Sequence, residues 1–149
     1  MHQSKHLPLD DVTIVEIDNW MAAPSAGAVL ADMGARVIKI EPISGDPMRG
    51  MSRPVKGDRF DEAFKEYDFQ FDVDNRGKES IAVALDHPEG AELVRQLAQK
   101  ADIFMCNLLT KRQAKFGLDP DSLFEVNPKL VHATLTGYGT SGPDAWRPG

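Results

Sequence analysis

The stretch that decides the fold is VTIVEIDNWMAAPSAGAVLADMGARVIKIE, Val12 to Glu41. Its opening, Val12 to Ile17, is rich in β-branched residues and stops at Asp18-Asn19, a turn signal, which predicts a strand. From Pro24 the apolar residues Ala26, Val29, Leu30 and Met33 fall at helical spacing, with Pro24 near the first turn and Gly34 as the stop. Ala35 to Glu41 then reads as a second strand, halted by Pro42. The unit is β-α-β.

Outward from this unit the alternation continues. Ser80 to Leu85 reads as a third strand, and Pro88 with Glu89 starts a helix whose apolar face is Leu93, Val94, Leu97, Ala98 and Ala101, with Lys100 in its last turn. Ile103 to Cys106 is a fourth strand, Gln113 to Phe116 one helical turn, and Asp119-Pro120 opens a helix that runs to Val126. Leu130 to Thr136 supplies a fifth strand before the loop of residues 137–149. Between the second and third strands, Pro42, Gly45, Pro47, Gly50, Pro54 and Gly57 punctuate a long loop. Phe60, Phe64 and Tyr67 follow at the spacing of a short helix with one apolar face, after which Phe69 and Phe71 switch to period two. Alternation of this kind predicts an α/β, Rossmann-like fold: a mainly parallel sheet with helices on both faces and ligands beyond the carboxyl ends of the strands.

A chain of 149 residues fits one domain. Residues 1–8 read as an N-terminal tail and 9–149 as that domain. With 17 Lys+Arg against 23 Asp+Glu, the net charge of −6 opposes nucleic-acid binding. Apolar runs such as Ile103 to Cys106 are far too short for a membrane span, and no apolar signal core opens the chain. The single cysteine, Cys106, gives no disulfide framework and suits a reducing compartment, so the cytoplasm is the expected location.

Motifs for chemistry are sparse. Gly137-Tyr138-Gly139-Thr140-Ser141-Gly142 satisfies G-x-G-x-x-G after a strand, yet Pro143, Asp144 and Pro148 follow without helical periodicity. No helix N-terminus is therefore available for a pyrophosphate. Cys106 in an apolar strand reads as a small hydrophobe, and His132 as a core histidine. There is no triad, metal-ligand spacing or Walker loop, so no metal is expected.

The ordered set of short pieces resembles the N-terminal part of the class III CoA-transferases, the family of formyl-CoA transferase and carnitine CoA-transferase, with the α-methylacyl-CoA racemases as close relatives. Its carriers are Val15-Glu16-Ile17 to Ala22-Ala23-Pro24, the run Leu30 to Pro42, Asn75-Arg76-Gly77-Lys78 and His87-Pro88-Glu89-Gly90. Further carriers are Ala101-Asp102-Ile103, Phe116-Gly117-Leu118, Asn127 to Val131, and Thr136 to Gly139 leading to Gly142-Pro143. The resemblance implies transfer of coenzyme A from an acyl-CoA donor to a carboxylic acid, through intermediates on an aspartate carboxylate that lies beyond Gly149. This chain alone is then expected to be inactive and to supply the CoA-binding portion.

For the pantetheine and reacting end, the resemblance points to Met21, Ala22 and Pro24. For the nucleotide end it points to Val83, Asn107, Leu108 and Lys115. Met21 stands where some members carry glutamine, and Pro42 where some carry arginine. The resemblance also implies a homodimer of interlocked chains when full length, with the aromatic set Phe60, Phe64, Tyr67, Phe69 and Phe71 on a covered surface. Two other readings stay open: a racemase or epimerase of the same family, and a non-catalytic acyl-CoA-binding or interaction domain.

Overall fold

In the computed structural model, which describes residues 6–51 and 68–148, five strands form one sheet: β1 (Thr13–Ile17), β2 (Arg36–Glu41), β3 (Glu79–Ala82), β4 (Ile103–Cys106) and β5 (Val131–Thr134). Their spatial order is β3-β2-β1-β4-β5, and each neighbouring pair is parallel. The helices are α1 (Ala22–Asp32), α2 (Phe69–Asn75), α3 (Pro88–Gln99), α4 (Thr110–Phe116) and α5 (Pro120–Val126). The chain moves outward from β1 to β3, then returns past β1 to β4. Parallel crossovers are right-handed, so the reversal sends α1 and α3 to opposite faces and opens a switch point between β1 and β4.

The two faces differ in chemistry. Val15, Ile17, Ile40, Phe104 and Cys106 pack with Val94 and Ala98 of α3, Phe116 of α4 and Leu123 of α5 in one apolar cluster. On the other face Ile14, Val37 and Met105 meet Leu30 and Ala31 of α1. Because side chains alternate along a strand, that same face carries Glu16, Lys39 and Glu41, all buried. Pairing of Glu16 with Lys39 in the β1–β2 register sets these charges side by side.

Several boundaries depart from the sequence reading. Phe69 and Phe71 open helix α2 rather than a strand, because the Asp68 carboxylate accepts the Phe71 N–H as an N-cap. Phe71 is consequently buried beneath the Arg49 guanidinium, 3.8 Å from its ring centroid, so it does not belong to an exposed aromatic patch. Phe60, Phe64 and Tyr67 lie outside the described residues. The third strand covers Glu79–Ala82 and all its residues are exposed at a sheet edge. Past it, Val83 still donates to the Glu41 carbonyl before a turn from Ala84 to His87 ends the pairing. The single turn expected at Gln113–Phe116 is a longer helix, Thr110–Phe116, stopped by Gly117 at φ +63°. Helix α3 ends at Gln99, with Lys100 as its cap instead of in its last turn.

One glycine shows how tightly α1 sits on the charged face. A Cβ on Gly27 would stand 2.0 Å from Glu16 Oε2 and 3.1 Å from Lys78 Nζ. Alanine in a helix interior is ordinarily more stable than glycine by ~1 kcal/mol. Here Glu16 is pinned by Lys78 and has nowhere to retreat, so overpacking should win. Gly27→Ala is expected to destabilise the protein by about 1–3 kcal/mol in urea unfolding; a gain in stability would mean that Glu16 moves freely.

Candidate functional site

The loops at the carboxyl ends of β1 and β4 diverge at the switch point, where an α/β sheet offers a crevice. The β1–α1 turn, Asp18 to Met21, is held through backbone groups of each of its residues. Lys39 Nζ donates to the Asp18 carbonyl at 2.8 Å. Asn107, just past β4, donates its Nδ2 to the Asn19 carbonyl at 2.7 Å and accepts the Asn19 N–H on Oδ1 at 3.1 Å. The Trp20 N–H donates to Asp46 Oδ1 at 3.4 Å, and Ser25 N closes onto the Met21 carbonyl at 2.8 Å. Within this turn Trp20 has φ +68°, a left-handed conformation that bulky residues avoid. Its side chain is exposed, as is that of Met21.

Beneath the turn lies an ionic cluster. Lys39 Nζ is 3.0 Å from Asp46 Oδ2, 3.4 Å from Asp18 Oδ1 and 3.7 Å from Glu16 Oε1. Lys78 Nζ donates to Glu16 Oε1 at 2.6 Å, to the Pro24 carbonyl at 2.8 Å and to Asn75 Oδ1 at 3.1 Å. The carboxyls of Glu16, Asp18 and Asp46 thus face the ammonium groups of Lys39 and Lys78. Full ionisation would leave one negative charge in excess. Burial is the largest influence on Glu16, followed by the Asp18 charge, and together they push its carboxyl up to about 7 against the pull of Lys78 and Lys39. Burial likewise raises Asp18. Burial lowers Lys78 despite the Glu16 charge beside it. For Lys39 burial works downward, but Asp18, Asp46 and Glu16 together raise it.

A second network flanks the first. Glu41 accepts from Arg49 Nε at 2.7 Å and Nη2 at 2.6 Å, from Ser80 Oγ at 2.6 Å and from the Asp46 N–H at 3.0 Å. Burial alone would raise its carboxyl; these donors outweigh burial and bring it down to about 2. Asp46 therefore joins the two networks, since its N–H binds Glu41 while its carboxylate meets Lys39, Met48 N and Trp20 N.

The residues singled out from sequence all stand beyond the carboxyl ends of strands. Met21, Ala22 and Pro24 lie at the entry to α1, and Asn107 with Leu108 leaves β4. The Asn107–Asn19 pair brings these two groups together. Val83 leaves β3, and Lys115 on α4 reaches the same loop through Asp86, 2.6 Å away. Lys115 also lies 5.0 Å from the Phe116 ring centroid and is largely exposed. A groove of about 270 Å³ is lined by Leu109, Thr110, Lys111, Thr140, Gly142, Ala145 and Trp146, and none of these candidate residues lines it.

Cys106 is buried, and burial first of all pushes its thiol up to about 11, in keeping with a small hydrophobic residue in an apolar strand. His132 packs against Phe104 and Phe124, with its ring nitrogens beside the Leu118 carbonyl and Thr134 Oγ1. Among the described residues no group of His, Cys, Asp or Glu is arranged to hold a metal ion, and no helix is long and apolar enough to cross a membrane. The ionic cluster escaped the sequence reading. Its signal was the charges at alternate positions at the ends of two predicted parallel strands, Glu16 and then Asp18 just past the first, Lys39 and Glu41 in the second.

Comparison with known proteins agrees with this architecture. The model of CoA-transferase family III matches residues 9–149. A succinate–glutarate CoA-transferase from Agrobacterium fabrum is 41% identical over 143 residues, covering 93% of this chain and 34% of that protein. A cinnamoyl-CoA:phenyllactate CoA-transferase from Clostridium sporogenes is 41% identical over 138 residues, covering 93% of this chain and 32% of its own. The crystal structure of a CAIB/BAIF family protein from Brucella suis superposes with a TM-score of 0.84 at 38% identity, covering 97% of this chain and 37% of that one. The chain spans about a third of the length of these relatives.

The charge balance has a measurable signature. Glu16 has a native carboxyl raised from 4.5 to about 7; its contribution to stability is therefore full below about pH 4.5 and lost as pH rises through about 7. Glu41, lowered from 4.5 to about 2, contributes above about 4.5 and loses that contribution as pH falls through about 2. Glu16→Gln is expected to flatten the decline in stability between pH 4.5 and 7, an effect on the order of 1–3 kcal/mol. Urea unfolding across this range in both proteins checks it; parallel curves would show that Glu16 keeps an ordinary carboxyl.

Proposed function

The chain belongs to CoA-transferase family III, and on that footing we propose that it is the CoA-binding portion of an enzyme that moves coenzyme A from an acyl-CoA donor to a carboxylic acid acceptor. The observation that carries this reading is the convergence at the carboxyl edge of the sheet. The family's CoA positions are far apart in sequence, yet the first turn and the β4 exit loop meet through Asn19 and Asn107.

In this reading Met21, Ala22 and Pro24 border the pantetheine arm and the thioester. Ala22 and Ala23 bring no branched bulk to the turn, which leaves space for a thin thiol chain. Val83, Asn107, Leu108 and Lys115 border the nucleotide end, where Lys115 is a point charge for the CoA phosphates. Asn107 spends one acceptor site and one N–H on Asn19, and the other half of its amide remains for a ligand. Lys115 must exchange Asp86 for phosphate, which reduces what that contact adds.

The chemistry itself is assigned to an aspartate carboxylate in the part of the protein beyond residue 149. That carboxylate attacks the thioester carbonyl and expels the CoA thiolate, leaving an acyl–aspartyl anhydride. The thiolate then attacks the aspartyl carbonyl of that anhydride, releasing the donor carboxylate and leaving an aspartyl–CoA thioester. The acceptor carboxylate attacks this thioester and frees the thiolate again. The thiolate attacks the acceptor's carbonyl in the new anhydride to give the new acyl-CoA and the free aspartate, so the thioester's free energy is retained throughout. No metal takes part. The complete protein is proposed to be a cytoplasmic homodimer of interlocked chains.

Mixing the full-length protein with an acyl-CoA and candidate carboxylates should yield a new acyl-CoA, read by chromatography. Exchange of the α-proton with solvent deuterium, without a new acyl-CoA, would assign a racemase instead. Binding without either reaction would leave an acyl-CoA-binding module. Lys115→Ala should raise KM for acyl-CoA on the order of tenfold with kcat nearly unchanged, because a contact remote from the thioester binds ground and transition states alike. Added salt should weaken the wild type more than the variant. An unchanged KM would remove Lys115 from the site.

A further inference from the structure

The β1–α1 turn is built in a way that its surface position does not require. Trp20 is held at φ +68°, a conformation that costs free energy for a large side chain and persists only when its surroundings over-determine it. The surroundings here come from distant parts of the chain. Lys39 of β2 holds the Asp18 carbonyl, Asp46 of the following loop holds the Trp20 N–H, and Asn107 past β4 holds both polar groups of Asn19. Asp46 and Lys39 are themselves fixed, 1–2% exposed and 3.0 Å apart.

Asn107 has the special place in this set. Lys39 and Asp46 grip the turn from the β2 side, whereas Asn107 grips it from across the switch point, and its own N–H donates to the Ile17 carbonyl at 3.3 Å. Its planar amide matches the paired N–H and C=O of Asn19, so both the distance and the orientation of the turn relative to β4 are set at once. Without the amide, the turn keeps only its β2-side anchors, and the left-handed Trp20 gains a route to relax.

We infer that Asn107 is a positioning residue for acyl transfer: by clamping Asn19 across the β1–β4 switch point it keeps the strained Trp20–Met21 turn preformed against the acyl-CoA thioester. The inference rests on the reading that the thioester lies along Met21, Ala22 and Pro24. It assigns Asn107 an effect through the turn in addition to any contact with the nucleotide. A misplaced turn degrades the alignment of the reacting groups more than the grip on the ligand, so the loss should fall on kcat.

The test uses Asn107→Ala and Asn107→Asp in the full-length enzyme. Asparagine-to-aspartate keeps the acceptor for the Asn19 N–H but sets a carboxylate oxygen against its carbonyl where the donor stood, and it retains side-chain volume should the alanine variant fail to fold. Two readouts are taken: steady-state kcat and KM, and hydrogen exchange at the amides of Asn19 to Met21. The expected result is a fall in kcat of about tenfold or more, over and above any rise in KM for acyl-CoA from a lost nucleotide contact. Exchange in the turn should become faster, while exchange in β1, β2 and β4 keeps its wild-type rate. The aspartate variant, which repels the Asn19 carbonyl, should loosen the turn at least as much as alanine. An increase in KM at unchanged kcat would make Asn107 a ligand contact alone and overturn the inference, as would unaltered exchange in the turn. If the unsubstituted enzyme forms no new acyl-CoA, the transferase reading fails first, and faster turn exchange in the variants still establishes the clamp separately.

Discussion

The contact of Lys39 with Glu16, Asp18 and Asp46 is the constraint on which the carboxyl edge of the sheet depends. A lysine ammonium that is 1% exposed cannot be left unpaired, since an isolated buried charge is far too costly to keep. Every group that satisfies it is thereby fixed. Asp18 must present both its carbonyl and its carboxylate, Asp46 must fold its loop back under the first turn, and Glu16 must point away from the apolar face toward α1. Lys78 completes the arrangement from the end of α2 and grips the first turn of α1 through the Pro24 carbonyl. Gly27 follows from this, because the helix can approach the Glu16 carboxyl only where it has no side chain.

How much of this was legible in the sequence depends on the range of the interaction. β1, α1 and β2 are written in local periodicity, and so are β4 and α5, whose Asp119 cap and Pro120 start are local signals. The strand-like spacing of Phe69 and Phe71 misled because it matched the alternation of a strand while Asp68, the residue that decides for a helix, stood immediately before it. The third strand was drawn too long because its apolar run continues past the point where β2 ends and the ladder has no partner. The candidate residues were legible through family resemblance and not through physics: nothing local to Val83 or Lys115 marks them. The ionic cluster was harder still, since Glu16, Lys39, Asp46 and Lys78 meet only through parallel register and a crossover helix. Asn107 could be named from its place in the family, but its grip on Asn19 could be seen only once β1 and β4 were side by side.

The two faces of the sheet divide the work between stability and geometry. The face under α3 and α5 is apolar, and its burial is non-directional: Val94, Ala98, Phe104 and Leu123 favour compactness without dictating the path of any loop. The face under α1 spends much of its area on charges, whose desolvation offsets much of their attraction, so replacing them by hydrophobic groups of similar volume could leave stability intact. What such groups could not reproduce is direction. Lys39 aims at the Asp18 carbonyl, Asp46 at the Trp20 N–H, and Lys78 at the first turn of α1, and each of these bonds ends on backbone at the carboxyl edge where the switch point opens. The polar face is therefore expensive where expense yields geometry, and the apolar face supplies the stability that allows a left-handed tryptophan to persist.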